Sequence, residues 1–342
     1  MKENYLITGG AGFIGSNYAK KLISEGKNVT ILDNLSRRGA EDNLKWLRSE
    51  AGGENFQFVN ADIRDFKAVK NFASRQDVIV HLAAQVAVTT SVLEPREDFF
   101  VNAQGTFNVL EAARVSGRQP VFIYASTNKV YGELEDLEIS EKDTRYTYKE
   151  KPFGVDENRC IDFHSPYGCS KGCGDQYVRD YARIYDIPTV VFRQSCIYGI
   201  RQFGIEDQGW VAWFVIAANK GAAITIYGDG KQVRDLLFVD DLLNAYDLAI
   251  ERIDVCKGQI FNIGGGPDRS ISIYKEFWPI LEETLGKEIP VNFQDWRPGD
   301  QKVYISDIRK IQSLLGWKPE IEIRDGIQRL YCWISENEGL FA

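Results

Sequence analysis

Short runs of consecutive apolar residues alternate with helical periodicity through the first half of the chain. Tyr5–Thr8, Val29–Asp33, Phe56–Asn60, Val78–His81, Val121–Ala125 and Thr189–Arg193 read as strands buried on both faces. Between them Phe13–Glu25, Lys67–Ser74, a long stretch from Pro95 to about Ser116, and Pro166–Tyr185 carry helical patterns. This alternation predicts an α/β fold, a parallel sheet covered on both faces. Right-handed crossovers make it a doubly wound sheet of the Rossmann type. After about Tyr198 the pattern loosens. Helices are predicted over Gly209–Lys220, Asp240–Arg252, Ile273–Leu285, Asp307–Leu315 and Asp325–Ile334, with strands over Ile224–Ile226 and Gln259–Ile263. The expected division is a Rossmann domain over 1–198, rejoined by part of 235–265, and a smaller substrate domain over 199–342. Glu133–His164 reads as a long polar insertion, uncommon in length unless functional.

Charge and composition narrow the partners. The 342 residues carry a formal net charge of −8 with no block of like charge, which argues against nucleic acid or an anionic membrane as partner. No run of about 18 apolar residues suggests a membrane span. Strand-like residues begin at Tyr5, leaving no room for a signal peptide, and six scattered cysteines do not form a secreted disulfide framework. The expected compartment is the cytoplasm. No metal site is expected: Cys169 and Cys173 flank Lys171 at helical spacing, and only two histidines, His81 and His164, are present.

Two constellations carry the chemistry. Gly9, Gly12 and Gly15 form G-x-x-G-x-x-G between a strand and a helix that opens on Phe13 and Ile14, the context of a dinucleotide loop. Glycines there permit a tight turn and close approach of a diphosphate to the helix N-terminus. Asp33, ending the second strand and followed by Asn34, suits the adenosine ribose hydroxyls and favours NAD. Arg37 and Arg38 keep NADP open. Asp62 and Ile63 after the third strand, and Leu82, Ala83, Ala84 and Gln85 after the fourth, are further cofactor candidates. The second constellation is Tyr167 with Lys171, four apart on one helical face. An ammonium beside a phenol is expected to lower its pKa from about 10, suiting Tyr167 to proton transfer near neutrality.

The glycine loop, Asp33, Asn102, Ser126-Thr127, Val130-Tyr131-Gly132, and Tyr167 with Lys171 occur in the order and on the elements of the extended short-chain dehydrogenase/reductases. The chain resembles that NAD-dependent epimerase/dehydratase family over essentially its whole length. The resemblance implies that Thr127, beside Ser126, hydrogen-bonds the reacting oxygen. It implies that Tyr167 is the acid/base and that Lys171 holds the nicotinamide ribose and tunes Tyr167. Family members that dehydrate sugar nucleotides place an Asp-Glu pair after the threonine. This chain has Asn128 and Lys129, groups suited to binding hydroxyls or a keto oxygen rather than moving the protons of dehydration.

Longer stretches narrow the branch. Asp33–Ala40, Gln85–Ser91, Ser126–Gly132, Asp162–Lys171, Arg201–Phe203, Asp207–Trp210 and Gly230–Asp235 resemble epimerases acting at carbon 2 of CDP-linked 3,6-dideoxyhexoses with retained NAD. That resemblance implies a CDP-sugar substrate. Arg201, Arg234 and Arg297 are candidates for its diphosphate, since guanidinium forks suit phosphate oxygens. Gln85, Asn128, Lys129, His164 and Gln208 are candidates for other substrate contacts, and Trp210 either flanks the base or packs in the core. Alternatives are a UDP-hexose 4-epimerase and a sensor that binds NAD without chemistry; retention of Tyr167 and Lys171 speaks against the sensor. The family resemblance further implies a homodimer or homotetramer built through helices such as Pro95–Ser116 and Pro166–Tyr185.

Overall fold

The computed structural model describes residues 3–51, 55–296 and 301–341. They form two compact units: residues 1–130, 163–193 and 243–261 in the first, and 131–162, 194–242 and 262–342 in the second.

A seven-stranded parallel sheet organises the first unit. Its strands are β1 (Asn4–Thr8), β2 (Asn28–Asp33), β3 (Phe56–Asn60), β4 (Val78–His81), β5 (Val121–Thr127), β6 (Thr189–Gln194) and β7 (Gln259–Ile263). Their spatial order is β7-β6-β5-β4-β1-β2-β3. Order reverses beside β1, so the C-terminal ends of β1 and β4 flank the switch point where ligands of such sheets bind. The covering helices include α1 (Phe13–Ser24), α2 (Ala40–Ala51), α3 (Phe66–Ala73), α4 (Gly105–Val115), α5 (Ser165–Ile184) and α6 (Val239–Glu251). One face of the sheet is sealed by Leu6, Ile79, Phe122 and Tyr124 against Val69, Val109, Leu110 and Val178. On α1 the buried Tyr18 ring meets Tyr246 edge-on at 5.7 Å, and its hydroxyl donates to Asp247 at 2.7 Å. Helix α6 is thereby fixed to α1 despite the long stretch of chain between them.

Among the helices of this unit that lie outside the expected elements are α2 and Val88–Leu93. Helix α2 is polar, and only Ala40, Asn43, Leu44 and Leu47 are buried, so its apolar stripe is thin. Val88–Leu93 is rich in β-branched residues and forms a helix against that local preference. The long helical stretch from Pro95 is interrupted by a π-helical turn at Phe99–Gln104.

The second unit is a mosaic of small sheets. Ser270–Ser272, Val233–Asp235 and Val303–Tyr304 make one of three strands; Ile224–Tyr227 pairs in parallel with Val291–Gln294. The polar insertion contains a hairpin, Ile139–Glu141 with Tyr146–Tyr148. Tyr146 packs with Val233, Val303 and Ile305 in a small core. The helix expected from Ile273 begins at Phe277. Ser272 and Glu276 hold the preceding turn by exchanging two hydrogen bonds: Ser272 N donates to Glu276 Oε2 and Glu276 N to Ser272 Oγ. No helix among the described residues is long and apolar enough to cross a membrane.

Candidate active site

The glycine loop fits a dinucleotide. Gly9 has φ +70°, and a Cβ there would meet Ala83 N at 2.7 Å. A Cβ on Gly15 would lie 2.3 Å from Gly9 O, so any side chain at these two positions would force the turn open. Gly12 caps α1 with an extended backbone, leaving the N–H groups of the first helical turn to an anion. Phe13 and Ile14 are half-buried in that turn. Asp33 closes the other side. Its carboxylate accepts from Ala11 N at 3.0 Å and Leu35 N at 2.8 Å, and burial pushes its pKa up against those two bonds. The rim contributes Leu82, Ala83 and Ala84, half-buried after β4.

Several predicted cofactor residues are engaged with protein groups. Asp62 accepts from Arg64 Nε at 2.9 Å and from Asn34 Nδ2 at 2.9 Å; the Arg64 hydrogen bond leads in lowering its pKa to about 2. Ile63 belongs to the core and packs against Gly105. Asn102 clamps the β4 loop, accepting from Gln85 N and donating to Gln85 O, each at 2.9 Å. The Gln85 side chain turns back to donate to Ala87 O at 2.8 Å.

Helix α5 carries the reacting pair. Ser165 at φ +68° turns the chain, Pro166 fits the first turn, and Gly168 N donates to Ser165 Oγ at 3.2 Å. Tyr167, Lys171 and Asp175 follow at four-residue intervals and are all buried. The helix lies close to β5: a Cβ on Gly174 would come within 2.4 Å of the Tyr124 hydroxyl. Thr127, at the end of β5, hydrogen-bonds Tyr167. Thr127 Oγ1 also donates to Asn128 Oδ1 at 3.3 Å and accepts from Lys129 N at 3.2 Å. Lys171 Nζ donates to Ala125 O at 2.6 Å and lies 4.3 Å over the Tyr124 ring.

The electrostatics correct one expectation. Lys171 was expected to lower the Tyr167 pKa, but burial dominates and raises it to about 12. The Thr127 hydrogen bond and the Arg37 charge pull the other way, while Asp98 adds to the rise. Burial lowers Lys171 to about 7, with Asp175 and Asp98 opposing. The physical reason is that the ammonium turns to the Ala125 carbonyl and the Tyr124 ring, while both groups are desolvated.

Ser126, expected beside the reacting oxygen, donates instead to Asp175 Oδ2 at 2.7 Å. Arg193 binds the same carboxylate through two bonds of 2.9 Å, and all three residues are buried. Ser126 therefore stands behind the site in a buried ion pair. Sequence reasoning missed Asp175 and Arg193; the four-residue step from Lys171 to Asp175 was the signal available. It also read Arg37 only as keeping NADP open, whereas its charge acts on Tyr167. Asn128 and Lys129 are half-buried in the turn after β5, and His164 is exposed just before α5.

The remaining substrate candidates lie in the second unit. Arg234 is buried, and its guanidinium donates to Val233 O at 2.8 Å. Arg201, at φ +65°, lies 5.5 Å over the Trp333 ring. Gln208 pairs with Ile205 in a tight turn. Trp210 opens a helix and packs edge-on against Phe277 at 4.9 Å and Phe214 at 5.4 Å. Arg297 lies outside the described residues. No cluster of metal-ligating side chains occurs among the described residues.

The sequence profile of the GDP-mannose 4,6-dehydratase family matches residues 6–330. The CDP-paratose 2-epimerase of Salmonella typhi is 46% identical over 337 residues, covering 96% of this chain and 98% of its own. Among solved structures, the UDP-glucose 4-epimerase of Thermotoga maritima with UDP-glucose is similar at a TM-score of 0.82 and 32% identity, covering 98% of this chain and 99% of that one. The UDP-glucose 4-epimerase of Thermus thermophilus in complex with NAD is similar at a TM-score of 0.80 and 30% identity, with coverages of 98% and 99%.

Proposed function

The chain belongs to the GDP-mannose 4,6-dehydratase family, a branch of the extended short-chain dehydrogenase/reductases, and from that membership we propose that this NAD-dependent nucleotide-sugar epimerase inverts carbon 2 of a CDP-linked 3,6-dideoxyhexose, converting CDP-paratose to CDP-tyvelose. The observation that carries the choice of epimerisation over dehydration is the turn after β5. Thr127 is followed there by an amide and an ammonium, Asn128 and Lys129, with no carboxyl group to eliminate water. The 46% identity to CDP-paratose 2-epimerase supports carbon 2 and the cytidine nucleotide.

Carbon 2 of such a sugar is not beside a carbonyl, so its hydrogen is not acidic and simple deprotonation is excluded. NAD, which the glycine loop and Asp33 would hold, would supply the reversible hydride chemistry. Tyr167 takes the proton of the carbon 2 hydroxyl as the hydride departs. Thr127, already bonded to Tyr167, and Asn128 hydrogen-bond the oxygen as it becomes a ketone. The 2-keto sugar turns over, is reduced on its other face, and Tyr167 returns the proton to oxygen. Lys171 would hold the nicotinamide ribose. Arg37 favours the phenolate, against the burial that holds Tyr167 near 12.

Exposed apolar residues mark this unit: Phe107 and Val115 on α4, Tyr177 and Ile184 on α5, with Phe99 in the π-helical turn and Tyr185 just past the end of α5. In this reading they are covered by a second copy of the chain.

Incubation with CDP-paratose, and separately with UDP-glucose, tests the function. Formation of CDP-tyvelose with no UDP-galactose is expected. The reverse pattern would establish the second reading, a UDP-hexose 4-epimerase, which the likeness to the Thermotoga enzyme favours.

A further inference from the structure

The short helix Pro95–Asp98 presents three exposed residues and one buried one. The buried residue is Asp98, at 1% exposure. Its two oxygens meet three parts of the first unit. Oδ1 accepts from Asn102 Nδ2 at 3.0 Å, in the π-helical turn, and from Gln85 Nε2 at 3.1 Å, in the loop after β4. Oδ2 accepts from Ser170 Oγ, on α5 between Tyr167 and Lys171. All three donors are neutral, and a buried carboxylate held only by neutral donors is costly without a cation. Lys171 supplies that positive charge.

We propose that Asp98 is a positioning residue for the reacting pair: through Ser170 its carboxylate ties the Tyr167–Lys171 turn of α5 to the loop after β4, and its negative charge favours the Lys171 ammonium. The proposal rests on the epimerase reading only for its effect on turnover. The anchor fixes where Tyr167 stands, because Ser170 Oγ also lies 3.2 Å from the Tyr167 carbonyl, so that its one hydrogen is shared between that carbonyl and Asp98. Other charges facing the pair are Asp175, held by Arg193, on the Lys171 side, and Arg37 on the Tyr167 side. His81 lies near Lys171 and is neutral, held well below its ordinary range by burial and by that ammonium.

Asp98→Asn separates charge from anchorage. The Asn oxygen still accepts from Asn102 and Gln85, and its NH2 donates to Ser170 Oγ, whose own hydrogen is then given wholly to the Tyr167 carbonyl. The test is a 13Cε-lysine NMR titration of the purified holoenzyme. The Lys171 resonance is assigned by its loss in Lys171→Arg, and the pH profile of kcat is measured alongside. In Asp98→Asn the Lys171 midpoint is expected to fall by about one pH unit or more, as for loss of a nearby buried opposite charge. The alkaline limb of kcat should move the same way. In Ser170→Ala the midpoint should stay and kcat should fall. An unmoved Lys171 midpoint in Asp98→Asn, or a Ser170→Ala variant with wild-type kcat, would overturn the proposal. Absence of turnover by the wild type on any nucleotide sugar would sink the reaction instead, and the titration would still decide the role of the Asp98 charge.

Discussion

The surroundings of Lys171 in the first unit and the Asp235 junction in the second bury carboxylates in opposite ways. In the first, Asp175 is paired with the Arg193 guanidinium, and Asp98 and Asp175 both act on the Lys171 ammonium. In the second, Asp235 is fully buried and held by neutral donors: Ser195 Oγ at 2.6 Å, Ser306 N at 3.1 Å and Gly266 N at 3.3 Å. Its pKa is pushed up to about 6 by burial. The difference separates two uses of a buried acid. Around Tyr167 an ammonium must persist out of water, so charges are buried in balanced groups. Around Asp235 a junction of loops must be held, and N–H and O–H donors suffice. Glycine makes that junction possible, since a Cβ on Gly264 would lie 2.1 Å from Asp235 Oδ2.

The comparison breaks first at the chemistry. Tyr167→Phe keeps the ring and removes the proton carrier, so kcat should fall by about 10³-fold with the fold intact, checked by turnover and circular dichroism. Next comes the buried pair. Arg193→Met leaves Asp175 and Ser126 without the guanidinium, and urea unfolding should show a loss of about 3–5 kcal/mol.

Titration sharpens the contrast, because Asp235 and His81 respond to pH with opposite sign. The folded Asp235 pKa, about 6, is above its ordinary 3.8. Its stabilising contribution is therefore complete below 3.8 and lost as pH rises through 6. Relative to Asp235→Asn, the wild type should gain up to about 3 kcal/mol on going from pH 7 to pH 4. His81 in the first unit is lowered from 6.5 to about 3, so its contribution is present above 6.5 and lost as pH falls. Relative to His81→Asn the wild type should lose stability over the same interval. Denaturant midpoints of the three proteins at several pH values check both signs. The smallest effect is expected at the surface. Glu97→Gln removes the exposed partner of Arg64, and should change stability by less than about 1 kcal/mol.

The same contrast explains what could be read in the sequence. The strands of the first unit are short apolar runs with two buried faces, and β3 and β4 coincide with their expected ranges. The glycine loop and the Tyr167–Lys171 step are local patterns, readable without tertiary knowledge. Asp98 reads as one more acid on a polar helix turn, and only packing against Ser170 reveals it. Ser126 looked catalytic because it precedes Thr127, yet in a strand neighbouring side chains point to opposite faces, and its own faces Asp175. The Tyr167–Lys171 spacing was legible but its electrostatics were not, since burial and the turn of Lys171 toward Ala125 depend on the folded surroundings. In the second unit the strands are two to four residues long and draw partners from distant segments, too little period for a local pattern to specify.

The central claim is a hydride that leaves carbon 2 and returns to it without exchange. Proton NMR of the purified protein with CDP-paratose in deuterated water, with no NAD added, tests it directly. Interconversion with CDP-tyvelose, the carbon 2 hydrogen retained, is the predicted result. Deuterium appearing at carbon 2, or no interconversion even after NAD is supplied, would contradict it.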